Sequence, residues 1–590
     1  MATTFIPDPR RCTYGGVARA SSPLATRTGA WLVLLLLGLG STWYCVGTAR
    51  RIGATYDEST HYVAVGLDRW RTGQVSGLMR LGTMPLPVDV CTLSVYGWER
   101  WRAHPFDLES NERARASRLG DLHEVLPTAR AGTLVFWWVL LVYGWLAGRH
   151  IAGPWGGALA MAFLAVEPCL LAHASLATTD LAASATLLAL LYHFAVGRRG
   201  EWRRRVLVPG AWFGIALASK ASALVFGPVG LAAVGVHRLW LDGRLRITRA
   251  SLRPLGSDLA QVWWIGLAAV FAYCGSDFRA EPSFVAWTRG LSAGLATDGL
   301  RWIAEHLTIF SNAGEGLVQQ IKHNIRGHGA YALGQTDRRA LWYYFPVALA
   351  IKLSLPVLLA PGILAIVRRQ TLATWPVVAA AVIFVLSVNF RVQVGVRLVL
   401  PLVVLWIVGV AGALAQWVGG LDRQRRAWGS AAVGLALALN LWASLEVYPH
   451  ALCYTNPVWG GTSDGYRRLS DSNYDWGQGL PDLAQWRQGH EAHELDLWYY
   501  GSDPAVDRGP WRSIDPFERH YASDADVRAA VSGRWLAVST TLLYGRFFRE
   551  ADSADPELAS PLRYVRFLRA QVPAARTTTF LIFDFTRASD

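Results

Sequence analysis

Leu398-Val399-Leu400-Pro401-Leu402-Val403-Val404-Leu405-Trp406-Ile407-Val408-Gly409-Val410-Ala411-Gly412-Ala413-Leu414-Ala415-Gln416-Trp417 contains no charged side chain. A helix rises about 1.5 Å per residue, so about 20 apolar residues match the ~30 Å hydrocarbon core of a bilayer. Similar runs recur on both sides of it, at 429–447, 373–388, 343–367, 258–274, 221–237, 206–219, 180–196, 154–167, 131–148 and 30–47. The sequence predicts about eleven spans, with 206–219 and 221–237 readable as one broken element. Composition agrees: of 590 residues, 52% are hydrophobic and only 17% charged, and the mean hydropathy is +0.23. A soluble domain carries about 25% charge. The deficit excludes a disordered or nucleic-acid-wrapping chain and predicts an α-helical polytopic membrane protein.

The arginines orient it. With the N-terminus in the cytoplasm, the inner segments are 1–29, 149–153, 197–205, 238–257, 368–372 and 418–428, holding 20 arginines against four acids. The whole chain nets +14, so the basic excess sits on one side, as the positive-inside rule requires. This accounts for the charge without a nucleic-acid partner. Residues 1–28 lack a cleavable-signal layout, and the run from Trp31 reads as a signal anchor. Trp43, Trp137, Trp138, Trp263, Trp264, Trp342 and Trp375 lie near span ends, where indoles favour the interface.

This topology divides the chain into a cytoplasmic N-terminus (1–29), a transmembrane domain (30–447) with large outer loops at 48–130 and 275–342, and an extracytoplasmic C-terminal domain (448–590). The last reads as a small α/β unit: a helix at Pro481–Gln488 and strands at Leu495–Tyr500, Trp535–Leu543 and Thr578–Phe585. The six cysteines show neither metal spacing nor a paired motif, and read as structural thiols or as one disulfide among the later four.

Ionisable residues at a membrane boundary are expensive and therefore functional candidates. Under this topology they gather on the outer side. Asp57-Glu58 with His61 is either a base or metal site, or the start of a helix capped by Asp57; His61–Trp70 is weakly amphipathic and suits the membrane surface. Thr179-Asp180 opens a span as a cap or as a functional acid. Arg391 and Arg397 run against the positive-inside trend; a phosphate would explain them, as would snorkelling. Lys352 lies about ten residues into an apolar span and calls for an anionic partner. His323, His328 and Tyr331 surround a turn at Gly327-His328-Gly329. Carboxylates suit proton abstraction from a hydroxyl, and cations suit a phosphate leaving group. No Walker, dinucleotide-binding or zinc-protease motif is present.

The ordered motifs resemble the polyprenyl-phosphate-dependent GT-C glycosyltransferases of glycosyltransferase family 39, which include protein O-mannosyltransferases and lipid A aminoarabinose transferases. Asp57-Glu58-Ser59-Thr60-His61 is similar to the acidic pair of that family's first outer loop. Pro168 through His173 to Thr179-Asp180, Ala218-Ser219-Lys220, Gly327-His328-Gly329-Ala330-Tyr331 with Tyr344-Phe345-Pro346 and Lys352, and Gly395-Val396-Arg397 with Leu400-Pro401 follow in family order. Asp471-Ser472-Asn473-Tyr474-Asp475-Trp476-Gly477-Gln478 resembles a signature of bacterial relatives; it contacts the acceptor or orders the turn before Pro481. Thr83-Met84-Pro85-Leu86-Pro87 departs from the family's first-loop Asn/His-Pro-Pro-Leu. No beta-trefoil insert of the kind eukaryotic protein mannosyltransferases carry is evident.

The resemblance implies a GT-C-like fold and an inverting transfer from a polyprenyl-phosphate-linked sugar to a hydroxyl of a lipid, glycan or protein, in the cell inner membrane. It makes Asp57 the general base, with Glu58 and Asp180 supporting it or, together with Asp57, holding a divalent cation (Mg or Mn). His61, Lys352, Arg391, Arg397, His328 and Tyr331 become substrate contacts, with Arg397 and Lys352 on the lipid phosphate. The rival is a transporter or flippase of lipid-linked sugars. Transporters place ionisable groups near the midplane and often show repeats; Lys352 alone leans that way.

Overall fold

The computed structural model describes residues 27–109, 118–241, 249–308, 311–490, 492, 494–546 and 563–586. Most of the expected cytoplasmic segment 1–29, with Cys12, lies outside the described residues. Among the described residues seven helices are long and apolar enough to cross a membrane: Leu122–Ala165, Asp180–Gly197, Ala223–Leu241, Arg253–Cys274, Leu355–Leu372, Val396–Gly419 and Arg423–Glu446. Leu35–Ala49 and Trp375–Ser387 are shorter apolar helices. The chain is thus a multi-pass helical membrane protein with a small C-terminal sheet.

The eleven expected spans fall on helices, but several are interrupted. Leu122–Ala165 carries two of them and breaks at Ala152–Gly153, where Gly153 takes φ +70 and Pro154 opens the second half. The pair at 206–237 is two helices, because Lys220 leaves Val208–Ser219 in extended conformation before Ala223. The expected single span 343–367 is also two, Tyr344–Lys352 and Leu355–Arg368. Ser354 sits in the break and donates its N–H (3.1 Å) and hydroxyl (2.7 Å) to buried Glu167.

Val396–Gly419 forms the centre and packs chiefly on Leu122–Ala165 and Trp375–Ser387. The outer helices expose Ile363, Ile366, Leu435, Leu439 and Trp442, an apolar surface suited to lipid. Trp137 and Trp375, expected at the interface, are buried instead, and Trp137 donates to Ser41 Oγ at 3.0 Å. Cys45, Cys91, Cys169, Cys274 and Cys453 are buried free thiols. The amphipathic stretch near His61 forms helix Val63–Thr72, with Val63 and Leu67 buried in a protein cluster beside Val95 and Leu126.

The C-terminal sheet has five strands in the order Arg512–Ser513, Leu495–Trp498, Trp535–Ser539, Phe580–Asp584, Ala575–Arg576. The first three are parallel and the last two antiparallel to their neighbours. Alternation along the strands fills both faces. Leu536, Val538, Leu581 and Phe583 meet Tyr564 and Phe567 on one face, while Ala537, Phe580 and Ile582 meet Leu480 and Leu483 on the other. The expected strand Trp535–Leu543 turns helical at Thr540, where Thr541 N and Thr540 Oγ1 bond Asp475. Asp503 ties this unit to the loop 48–130, accepting from Ala54 N and His123 Nε2, each at 2.7 Å.

Candidate active site

Four helix ends converge on one side of the bundle. Asp57 follows the helix Arg27–Ala49, Asp180 starts Asp180–Gly197, Lys220 follows Val208–Ser219, and Arg397 precedes Leu400–Gly419. Their placement begins with Glu58. Arg130 Nε and Nη2 grip the Glu58 carboxylate at 2.8 and 2.7 Å, and both side chains are fully buried. Arg130 also donates to the carbonyls of Ala49, Ile52 and Gly53, while Glu58 accepts from Thr55 N and Ala177 N. Burial would raise the Glu58 carboxyl, but Arg130 and these donors outweigh it and hold it below the usual range. Glu58 is therefore a structural pin joining the loop after Arg27–Ala49 to the segment before Asp180. Its carboxylate, expected to support Asp57 or hold a metal, is filled by donors of the protein and closed to solvent.

The chain turns as a π-helix over Glu58–Tyr62, a local irregularity common at functional sites. Asp57 makes no capping bond there. Its Oδ2 instead accepts from Arg397 Nη1 at 2.7 Å and from the Tyr62 hydroxyl at 3.4 Å, with His61 Nδ1 at 3.8 Å from Oδ1. Burial pushes the Asp57 carboxyl up, but Arg397 and His61 prevail and hold it below the ordinary value. Asp180 Oδ1 pairs with Lys220 Nζ, and its Oδ2 lies 3.7 Å from Arg397 Nη1. One guanidinium thus serves two acids, with its plane 4.1 Å from the Trp476 ring centre. The Asp57 side chain is 16% exposed and Asp180 0%, so of the two only Asp57 reaches solvent. Arg397 Nε, Asp180 Oδ2 and His173 Nδ1 are buried polar atoms without a hydrogen-bond partner.

The remaining candidates separate from this cluster. Lys352 is fully engaged: its Nζ donates to the carbonyls of Leu452 (2.8 Å), Tyr454 (2.5 Å) and Asn473 (2.7 Å). It therefore has no ammonium hydrogen left for a phosphate, and the anionic partner expected for it is a ring of carbonyl dipoles. Arg391 is bound at the surface to Asn324 and the Ile325 carbonyl. Tyr331 is buried and donates to Arg467 O at 3.0 Å. His328 stacks edge-on with His323, centroids 5.2 Å apart, and faces Arg546. As for a cation, Asp57, Glu58 and Asp180 do not converge: Glu58 is turned to Arg130, and a guanidinium already bridges the other two. Among the described residues no three His, Cys, Asp or Glu side chains gather to hold a metal.

Asp471 to Gln478 forms the seam between sheet and helices. Asn473 donates to the Tyr344 hydroxyl at 2.8 Å and accepts from Val396 N at 2.9 Å, and Ser472 Oγ donates to Val394 O. Gly395 is required there, because any Cβ would collide with Ser472 Oγ. Trp476 O accepts from Tyr56 N at 2.9 Å and Gln478 O from Gly53 N at 2.8 Å. The seam thus sets Arg397 and Asp57 together. Lys220 and Trp476 stand in the family-like motifs with no part expected in this cluster, and no pattern pointed to Arg130; for the two cations the available signal was a lone positive charge flanking an apolar run.

The fold and site together define a multi-pass membrane protein with an arginine-bridged pair of acids at one end of its bundle. No protein-family model and no curated protein matches the chain. Two solved structures of ArnT from Cupriavidus metallidurans are similar. The form bound to undecaprenyl phosphate is 13% identical with a TM-score of 0.40, and the apo form is 13% identical with a TM-score of 0.43. Each comparison covers 94% of this chain and 98% of the other.

Proposed function

We propose that the chain is a GT-C-type glycosyltransferase that moves a sugar from a polyprenyl-phosphate carrier to a hydroxyl acceptor on the extracytoplasmic side of the cell inner membrane. The observation that carries this reading is the accessible Asp57 carboxylate, held ionised by Arg397 beside a second cation, Lys220. The ordered family-like motifs support it. The arginine excess supports a cytoplasmic N-terminus and a C-terminal domain, 448–590, on the outer side.

In this reaction the acceptor oxygen attacks the anomeric carbon from the face opposite the phosphate. The sugar–phosphate bond breaks, the lipid phosphate departs with the electron pair, and the acceptor proton passes to Asp57. A carboxylate with a reference pKa of about 3.9 is a weak base, so it acts late, as the new bond forms and the hydroxyl acidifies. Arg397 retains an unpartnered Nε–H; with Lys220 it supplies positive charge for the departing phosphate. The transporter reading loses its favoured residue once Lys352 is bound to three carbonyls.

The test is sugar release from a synthetic polyprenyl-phosphate sugar by purified protein in detergent, with membrane extract as acceptor source. Consumption by wild type and none by Asp57→Asn supports the proposal. Equal activity moves the base elsewhere. Absence of consumption together with translocation across liposomes replaces the enzyme with a transporter.

A further inference from the structure

A cavity of about 540 Å³ opens between the end of helix Arg27–Ala49, helix Pro85–Arg102 and the start of Leu122–Ala165. Val46, Val90, Leu93, Leu134 and Val135 give it apolar walls, and no Asp or Glu stands among its described lining residues. Such a volume lies within the ~300–1,000 Å³ of small-molecule sites. The cavity sits where the expected spans 30–47 and 131–148 reach the end of the bundle that carries Asp57. Its edge is apolar and open, with Leu93 51% and Val135 54% exposed, a surface suited to lipid. Leu32, Leu35, Leu36, Leu39 and Trp43 are exposed as well, at the three- and four-residue spacing of one helix face. The same spacing continues from Trp43 to Val46 and Arg50, so a stripe along this helix leads into the cavity and ends on a cation.

The polar groups select the occupant. Ser175 Oγ donates to Leu171 O at 2.7 Å, and the Arg130 guanidinium is committed to Glu58 and the carbonyls of Ala49, Ile52 and Gly53. Arg50, exposed where the stripe ends, is the other charged lining residue. Apolar walls with a guanidinium at the boundary complement a hydrocarbon chain that carries a phosphate at its end. The cavity also abuts the three segments that the Glu58 pin ties together. These are Ala49, whose carbonyl accepts from Arg130; Arg130 itself; and Ala174–Ser175, just before Ala177, whose N–H reaches Glu58 Oε1 at 2.8 Å. A molecule filling the cavity would therefore brace the chain that leads into Asp57.

We propose that this cavity binds a bilayer phospholipid of net negative charge, one acyl chain against the apolar walls and the headgroup phosphate at Arg50, and that its occupancy stabilises the loop carrying Asp57 and Glu58. This lipid is neither sugar donor nor acceptor, so the site stands whether or not the chain transfers sugar.

The test uses the full chain, stripped of lipid in detergent and titrated with dioleoyl phosphatidylglycerol, with uncharged dioleoylglycerol as the chain-only control. Native mass spectrometry reads bound lipid, and a melting curve reads stability. Wild type should retain phosphatidylglycerol and melt at a higher temperature as that lipid is added. Arg50→Gln should weaken phosphatidylglycerol about fivefold, the effect of one cation at a lipid surface, and leave dioleoylglycerol unchanged. Ser94→Trp, which sets an indole in the cavity wall, should weaken both lipids. Wild-type binding no tighter for phosphatidylglycerol than for dioleoylglycerol, or undiminished phosphatidylglycerol binding to either variant, overturns the proposal. Displacement of phosphatidylglycerol by equimolar polyprenyl phosphate overturns it too, and makes the cavity a site for the sugar carrier. Should Ser94→Trp fail to fold, Arg50→Gln, on the surface, decides alone.

Discussion

The Asp57 carboxylate meets the Arg397 guanidinium at 2.7 Å across 340 residues of chain. The same guanidinium nitrogen lies 3.7 Å from Asp180, and Asp180 is in turn paired with Lys220. Two acids and two cations alternate, so the cluster is neutral while each acid stays ionised. Of the two acids only Asp57 opens toward solvent.

Asp57→Asn should therefore lower kcat for sugar transfer by about 10²–10⁴, the usual worth of a positioned base, with a much smaller change in donor KM. Asp180→Asn should lose less, because Asp180 is closed to solvent and bonded to Lys220 beside Arg397. Steady-state kinetics on both variants separates the roles. A larger loss at Asp180 would transfer the base assignment to it.

The Glu58–Arg130 pair predicts the opposite pattern. Glu58→Gln leaves a buried guanidinium without its counter-ion, which costs about 3–5 kcal/mol. Thermal unfolding in detergent should move down further for this variant than for Asp57→Asn. A Glu58→Gln protein with wild-type stability and no activity would return Glu58 to the catalytic set.

How much of this was legible follows from the range of each interaction. The membrane helices were, because an uncharged run of about 20 residues has few alternatives. The break at Leu353-Ser354 was not: it interrupts an apolar run, and its cause is Glu167, 187 positions away. Asp57, Asp180 and Arg397 could be gathered from motif order, but their sharing of one guanidinium could not. Glu58 and Asp57 are adjacent in sequence and look equivalent, yet one faces Arg130 and the other Arg397. Lys352 looked like a free cation only because its partners are backbone carbonyls, which leave no trace in residue identity.

Lys352→Met removes the donor shared by three buried carbonyls. Each unsatisfied carbonyl costs about 1–3 kcal/mol, so the variant should unfold at markedly lower temperature while any surviving protein keeps its donor KM. The two readouts are a melting curve and donor saturation. A raised donor KM with unchanged melting would restore the phosphate contact.

Two acids outside the expected membrane segments titrate in opposite senses. Burial raises the Asp475 carboxyl to about 7 despite the hydrogen bonds from Thr541, Gly477 and Thr540. Between its ordinary value of 3.8 and about 7 the folded protein thus holds a proton that the unfolded chain releases. Stability from this group is full below that window and is lost as pH rises through it. Asp57 behaves conversely: burial opposes but Arg397 prevails, its folded value is depressed, and its contribution is lost only as pH falls through that lower value. Melting temperatures from pH 5 to 8 should therefore fall for wild type, flatten for Asp475→Asn, and keep the wild-type slope for Asp57→Asn, since Asp57 is ionised throughout in both states. A slope unaltered by Asp475→Asn would mean that its carboxylate stays charged in the seam, and that the hydrogen bonds from Thr540 and Thr541 outweigh burial there.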